Sequence, residues 1–326
     1  VIDTADFSTE RGSPIHAGRR PSVDAACVAQ LQAAGAVVAG KTVTTEFALF
    51  AAAGTTNPHD PTRSPGGSSS GSAAAVAAGM CRAALGTQTV GSVLRPAAYC
   101  GVVGFKPTYH LIPPTGVATL AHSLDTVGWF TNDVADATDL LETFVGPDDT
   151  TRSEPGRSPR VGLYRSAQWA SAQAETAVAL ASVADRLATA GADVVEVDEA
   201  DHLAPVFAAG DVILHFEALR ALAPERQRPE LIHPLISRMF ERAQSVTSIA
   251  YGAAQRSVAL ARHQHDAWLD EFGLDVLLTP ASPGVAPELG TTGDSVFNRT
   301  WSTLGIPAIS LPAGAGPGGL PLGVQL

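Results

Sequence analysis

Lysine is nearly absent from this 326-residue chain: Lys41 and Lys106 are the only two among 21 basic residues, which face 32 acidic ones. The resulting formal charge of −11 excludes a broad nucleic-acid surface, because phosphate binding needs clustered positive charge. Charged residues make up only 16% of the chain against 45% hydrophobic, which excludes global disorder and implies a substantial buried core. Cysteine is scarce too. Cys27, Cys81 and Cys100 are widely spaced in apolar surroundings and form no CxxC pair. They offer no metal or disulfide chemistry and read as buried free thiols of a reducing, cytoplasmic setting. Long apolar runs are also missing. The alanine-rich stretch 72–84 is interrupted by Arg82, falls short of a spanning length and reads as a buried core helix, so neither a signal peptide nor a membrane association is expected.

The length suits one large α/β domain or two modest ones. Alanine and glycine dominate the apolar share, which favours close helix–sheet packing. Ser22 and Asp24 offer a capped helix start, residues 25–34 carry helical spacing, Gly35 ends it, and residues 36–39 read as a short buried strand. The pattern recurs later as a strand at 160–164, a helix at 175–190, a stop at Gly191 and a strand at 193–197. Two such units indicate a partly parallel sheet. From 203 to 272 the pattern is mainly helical, with breaks near Pro224, Pro229 and Pro234; strands are expected at 276–279 and 305–311. The chain opens on Val-Ile-Asp and closes on 321–326, which reads as a strand cut in its middle. One domain incomplete at both ends is the expectation, with 203–272 as a helical insertion on the substrate side.

Three motifs compete for the chemistry. Residues 35–42, Gly-Ala-Val-Val-Ala-Gly-Lys-Thr, match the phosphate-loop pattern GxxxxGK[ST]. Their middle residues read as an apolar strand whose amides serve a sheet, so nucleotide binding is the weaker reading. Residues 67–71 contain GxSxG centred on Ser69, yet Pro65-Gly66-Gly67 is a poor strand to lead into a nucleophile elbow, and an ordered loop fits better. Residues 86–92, Gly-Thr-Gln-Thr-Val-Gly-Ser, place glycines beside a serine. That arrangement exposes a hydroxyl and frees backbone N–H groups for developing negative charge, which makes Ser92 a candidate nucleophile against the reading of a plain turn. His263 and His265 lie about 200° apart on a helix, which argues against a shared metal. Asp193, Glu196 and Asp198 read as a solvated strand edge.

Together these segments resemble the amidase signature family. The resemblance runs through Gly66-Gly-Ser-Ser-Ser-Gly-Ser-Ala-Ala-Ala-Val-Ala-Ala-Gly79, Leu85-Gly-Thr-Gln-Thr-Val-Gly-Ser92, Arg95-Pro-Ala-Ala-Tyr-Cys-Gly-Val-Val-Gly-Phe-Lys-Pro-Thr108 and Ser123-Leu-Asp-Thr-Val-Gly128. Weaker matches lie at 34–48 and at Leu304-Gly-Ile-Pro-Ala-Ile-Ser-Leu-Pro312. The family implies an α/β/α sandwich around a mixed sheet and a Ser–cis-Ser–Lys triad that hydrolyses carboxylic amides through an acyl-enzyme. By motif position Ser92 corresponds to the acylated serine and Ser68 to the relay serine, which follows a cis Gly67–Ser68 bond. The amides of Thr89, Val90, Gly91 and Ser92 correspond to the oxyanion site, with the helix near Ser72 adding a positive end. The family's lysine stands in a Lys-Asp pair preceding the segment matched by Val1-Ile-Asp-Thr4; Lys41 and Lys106 match other family lysines outside the triad, so the residues given are expected to be severely impaired by themselves.

No metal or organic cofactor is implied; the expected partner is a small-molecule amide, and a homodimer is the assembly considered. Gln88, Val90 and His110 stand where aspartate, glycine and a small residue are common, and are expected to reshape the acyl pocket. They favour a stand-alone amidase over the catalytic subunit of a glutamyl-tRNA amidotransferase. A catalytically silent homologue is the remaining alternative.

Overall fold

The computed structural model describes residues 1–146, 157–198 and 200–326. Its strands are β1 (Ala83–Gln88), β2 (Val103–Lys106), β3 (Thr126–Thr131), β4 (Arg160–Tyr164), β5 (Asp193–Val197), β6 (Val276–Pro280), β7 (Ala308–Ala315) and β8 (Pro321–Gln325). They form one sheet in the order β1-β3-β2-β7-β8-β6-β4-β5. The β4–β5 and β4–β6 pairings are parallel and the others antiparallel, so the sheet is mixed. The helices are α1 (Ala26–Ala33), α2 (Ser70–Ala77), α3 (Leu94–Cys100), α4 (Val134–Val145), α5 (Ala174–Thr189), α6 (Val206–Ala221), α7 (Pro234–Ala243), α8 (Ser248–Phe272) and α9 (Arg299–Leu304).

Successive strand residues face opposite sides, and both sides are covered. Ala84 and Phe130 meet Ala73, Val76, Val93 and Ala97 of α2, α3 and the turn before α3. Val103, Val127 and Trp129 point the other way, onto Cys27 and Val28 of α1 and Ala137 of α4. This double covering explains why β3 is buried at all six positions. At the other end of the sheet, Val161, Leu163 and Leu278 pack on Leu180 and Ala184 of α5. Tyr164 and Leu277 pack on Ala261 of α8 and on Trp301 and Leu304 of α9. The expected α/β/α sandwich is therefore the fold. Helices α6 to α8 form an apolar layer of their own, with Ile213, Ile236, Met239, Phe240 and Val258 at its centre. Among the described residues no helix is long and apolar enough to cross a membrane.

Three local expectations need correction. The stretch 72–84 is not one helix: α2 ends at Ala77, Gly79 turns at φ +69, and β1 begins at Ala83. Its run of small residues carries no period, and pairing of 83–88 with β3 decides the outcome. Helix α1 begins later than the Ser22 cap implied, at Ala26, with Ala25 at the N-cap and so no side-chain cap, and Asp24 lies outside its first turn, where Oδ1 accepts from the Ala5 amide at 2.8 Å. Residues 36–39 form no strand and are largely exposed, Val37 at 89%. No strand among the described residues pairs with them. The chain beyond is held by Val43, whose carbonyl accepts from Gly71 at 2.9 Å.

Candidate active site

The glycine–serine loop enters α2 under close confinement. At Gly66, φ is +82, and a Cβ there would lie 2.8 Å from Pro96 Cα. The Gly67–Ser68 peptide is cis, as the resemblance implied. The Ser68 carbonyl accepts from the Thr45 amide at 3.1 Å and from Thr44 Oγ1 at 3.3 Å. Ser68 Oγ is buried and has no hydrogen-bond partner among the described residues. Its neighbour Ser69 is spent on structure, since its Oγ accepts from the Thr87 amide at 3.2 Å and donates to the Thr87 carbonyl at 3.3 Å. Ser69 thus stitches the loop to β1 and is no exposed elbow nucleophile.

The turn 89–92 links β1 to α3. Beneath it lies Gln88, fully buried, whose Oε1 accepts from the amides of Val93 at 2.8 Å and Leu94 at 2.9 Å. Its Nε2 donates to Ser302 Oγ at 2.8 Å. Gln88 therefore braces the first turn of α3. Val90 packs against the apolar layer that includes Leu120, Leu124 and Ile213. Thr89 Oγ1 donates to Asp125 Oδ1 at 2.7 Å, while Asp125 Oδ2 accepts from the amides of Leu120 and Ala121 at 2.7 and 2.9 Å. Burial pushes the Asp125 carboxyl up to about 6, against the bond from Thr89 that favours its charged form. Gly91 is needed for room: a Cβ there would lie 2.6 Å from Ser295 Cβ. With Gln88 taking the next two amides, the N–H groups of Thr89, Val90, Gly91 and Ser92 donate to no acceptor among the described residues. Four consecutive unspent donors beside a buried serine make a ready site for an anionic oxygen.

Arg95, on the first turn of α3, is 5% exposed and donates from its guanidinium to the Gly67 carbonyl at 2.6 Å. That bond joins the Ser92 turn to the Ser68 loop. Among the described residues no hydrogen bond links the Ser68 and Ser92 hydroxyls directly.

Neither lysine serves the serines. Lys41 Nζ donates to the Ile2 carbonyl and to Thr9 Oγ1, and Lys106 Nζ to the Pro107 carbonyl at 2.9 Å. Burial, with Arg262 adding to it, holds Lys106 down to about 7. Residues 36–42 run as irregular backbone, so the strand that argued against the phosphate-loop reading is missing; Lys41, the cation of that pattern, is instead bonded to the Ile2 carbonyl and Thr9 Oγ1. His265 faces His202 at 3.3 Å and is turned away from any role with His263. Among the described residues no group of three or more histidine, cysteine or acidic side chains is placed to hold a metal. His110 adopts φ +64, so a position where small residues are common is a left-handed one that histidine fills here.

Sequence reading missed Arg95 and Asp125 as parts of the site, although both stand inside the quoted signature. It also missed Thr292, Ser295 and Asn298, which close over Gly67 and Gly91. They lie about 200 residues away in sequence, and no local pattern points to them.

The whole chain, residues 1–326, matches the Amidase family. It is 35% identical over 359 residues to a glutamyl-tRNA(Gln) amidotransferase subunit of Prochlorococcus marinus (strain MIT 9303), covering 94% of this chain and 74% of that protein. An amidase of solved structure superposes with a TM-score of 0.89 at 30% identity, over 99% of this chain and 77% of that one. A 6-aminohexanoate cyclic dimer hydrolase, solved with its substrate, gives 0.84 at 29% identity over 100% and 78%. The protein therefore belongs to the amidase family, with that family's α/β/α fold around a mixed sheet.

Proposed function

We propose that this protein cleaves a carboxylic amide by forming an acyl-enzyme on Ser92. The observation that carries this reading is the run of four unspent amides, Thr89 to Ser92, at a buried serine whose turn Arg95 ties to the cis-peptide loop. Ser92 Oγ attacks the amide carbon and its proton passes to Ser68 Oγ, the buried hydroxyl that has no other partner among the described residues. The carbonyl oxygen becomes an oxyanion held by the free amides, a term worth about 3–4 kcal/mol for each well-placed donor. The C–N bond then breaks as the nitrogen takes the proton from Ser68. Water attacks the ester left on Ser92 and releases the acid. The resemblance gives the role of base to a lysine that would stand ahead of Val1, and neither Lys41 nor Lys106, each bonded elsewhere, is assigned it.

The acceptor of the acyl or ammonia product separates two readings. Departures at Gln88, Val90 and His110 favour a stand-alone amidase, but the bracing role of Gln88 weakens that argument. The curated relatives favour the other reading, since those with 31–35% identity are named as subunits of glutamyl-tRNA(Gln) amidotransferase. In that case the same Ser92 chemistry releases ammonia from an amide for transfer elsewhere. In the full-length protein, Ser92→Ala is expected to abolish both ammonia release and covalent labelling by a fluorophosphonate. Unchanged turnover overturns the proposal. Ammonia release from glutamine with refusal of simple primary amides supports the amidotransferase reading, and the reverse supports the hydrolase.

A further inference from the structure

Arg95 is a buried cation that the acyl-enzyme steps above do not use. Its guanidinium is enclosed, its Nε is buried without a partner, and among the described residues no carboxylate lies within ion-pair distance. Burial lowers its affinity for a proton, with Tyr99 and Asp294 acting against that and Arg299 adding to it. A buried guanidinium without a counter-ion is costly, and an apolar side chain of similar volume would fill the space more cheaply. Its hydrogen bond is specific: one N–H group donates at 2.6 Å to the Gly67 carbonyl, the atom next to Ser68 in the chain.

The geometry around it is stiff on both sides. Gln88 fixes the start of α3 through the amides of Val93 and Leu94, so the helix that follows Ser92 cannot easily turn. Thr292 closes against Gly67 from above, where a Cβ would lie 2.7 Å from its Cγ2. Among the described residues two hydrogen bonds run from this helix to the relay loop, Cys100 Sγ to the Pro65 carbonyl at 3.4 Å and Arg95 to the Gly67 carbonyl at 2.6 Å, and of these only the Arg95 bond reaches the peptide that carries Ser68. We infer that Arg95 is a positioning residue: by holding the Gly67 carbonyl it sets the Ser68 hydroxyl at the height and angle from which it exchanges a proton with Ser92. The inference rests on the acyl-enzyme reading, because it gives Arg95 its role through Ser68.

The test is the rate of fluorophosphonate labelling and of amide turnover in the full-length protein. Arg95→Met is expected to slow labelling of Ser92 and to lower kcat by about 100-fold, with KM for the amide little changed. Arg95→Lys restores part of the rate, because an ammonium still donates to a carbonyl, and added guanidinium ion restores part of the rate to Arg95→Ala. Wild-type labelling rates in Arg95→Met overturn the inference. So does a loss shared between kcat and KM that Arg95→Lys and guanidinium both leave uncorrected, since that marks a purely structural role. Should Arg95→Met fail to fold, Arg95→Lys decides alone: intermediate labelling supports the inference and an unchanged rate overturns it. Failure of the underlying reading is separate, because it shows, with Arg95 intact, as labelling that survives Ser92→Ala.

Discussion

The signature face and the cavity wall around Glu217 treat buried polar groups in opposite ways. Around residues 66–95, hydrogen-bonding capacity is left over: four amides of the 89–92 turn, the Ser68 hydroxyl and the Arg95 Nε have no partner among the described residues. Next to that face, beyond the segment that carries Ser123 and Asp125, α6 and α8 line a cavity of about 330 Å³ with Phe216, Arg220 and Tyr251, and at its wall sits Glu217. That carboxylate is saturated. It accepts from the Ser123 amide and hydroxyl, from Tyr251 Oη and from Gln255, and it lies 3.1 Å from His122 Nδ1. Burying a polar group without a partner costs free energy, so on the proposed reading the cluster of open groups around Ser92 is what a ligand or transition state would complete, whereas open groups elsewhere, such as Glu225 Oε2, join no such cluster. Saturation in the other region marks a scaffold.

Substitutions can break that contrast. The largest effect belongs to Ser92→Ala, with turnover falling by about four to six orders of magnitude and thermal unfolding hardly moved. Loss of stability without loss of turnover there would reverse the distinction. Gly91→Ala comes next: the new Cβ meets Ser295 Cβ at 2.6 Å and Asn298 Oδ1 at 2.9 Å, and neither can swing clear. The turn must shift its amides, so activity drops by about 100-fold while overpacking costs about 1–3 kcal/mol in denaturant titration. Glu217→Ala should do the opposite. It strands the Ser123 amide and the Tyr251 hydroxyl and lowers stability by about 3 kcal/mol, leaving kcat per folded molecule near the native value. A large kcat loss in Glu217→Ala with native stability would place that carboxylate in the chemistry and dissolve the contrast.

Much of the fold was legible because it depends on local pattern. The strands at 160–164 and 193–197 have the expected bounds, and the stop at Gly191 sits at φ +100, a conformation glycine adopts freely. The helical character of 203–272 follows from spacing alone. Where small residues run without a period, in 72–84, local pattern could not separate helix from strand, and pairing with β3 decided it. The expected strand at 36–39 failed for the opposite reason: its composition suits a sheet, but a strand needs a neighbour, and none among the described residues supplies one. The cis bond at Ser68 came from resemblance, since nothing in the spacing of glycines and serines demands it. The positions of Arg95 and Asp125 were invisible because their roles lie in tertiary contacts, to Gly67 and to Thr89.

The smallest predicted effect compares one titrating group from each region. His265 in α8 is 2% exposed among Trp268, Trp301 and His202, and desolvation, with His202 adding to it, lowers it from 6.5 to about 4. The unfolded chain therefore takes up a proton between pH 6.5 and 4 that the folded chain refuses, so this stabilisation is present above pH 6.5 and is lost as pH falls toward 4. Asp125 runs the other way. Its carboxyl is raised from 3.8 to about 6, so the folded chain takes up the proton first and gains stability as pH falls from 6 toward 4. The two contributions oppose each other in one window, and the native protein should show a shallow pH dependence there. Denaturant titrations of His265→Gln should show a deficit against the native protein that narrows from pH 7 to pH 4.5, by up to a few kcal/mol. Asp125→Asn should show its advantage, or its smallest deficit, at pH 7 and lose ground as pH falls. Parallel curves for both variants and the native protein would mean that neither burial governs the titration, and the opposition between the signature face and the helical layer would then rest on hydrogen bonding alone.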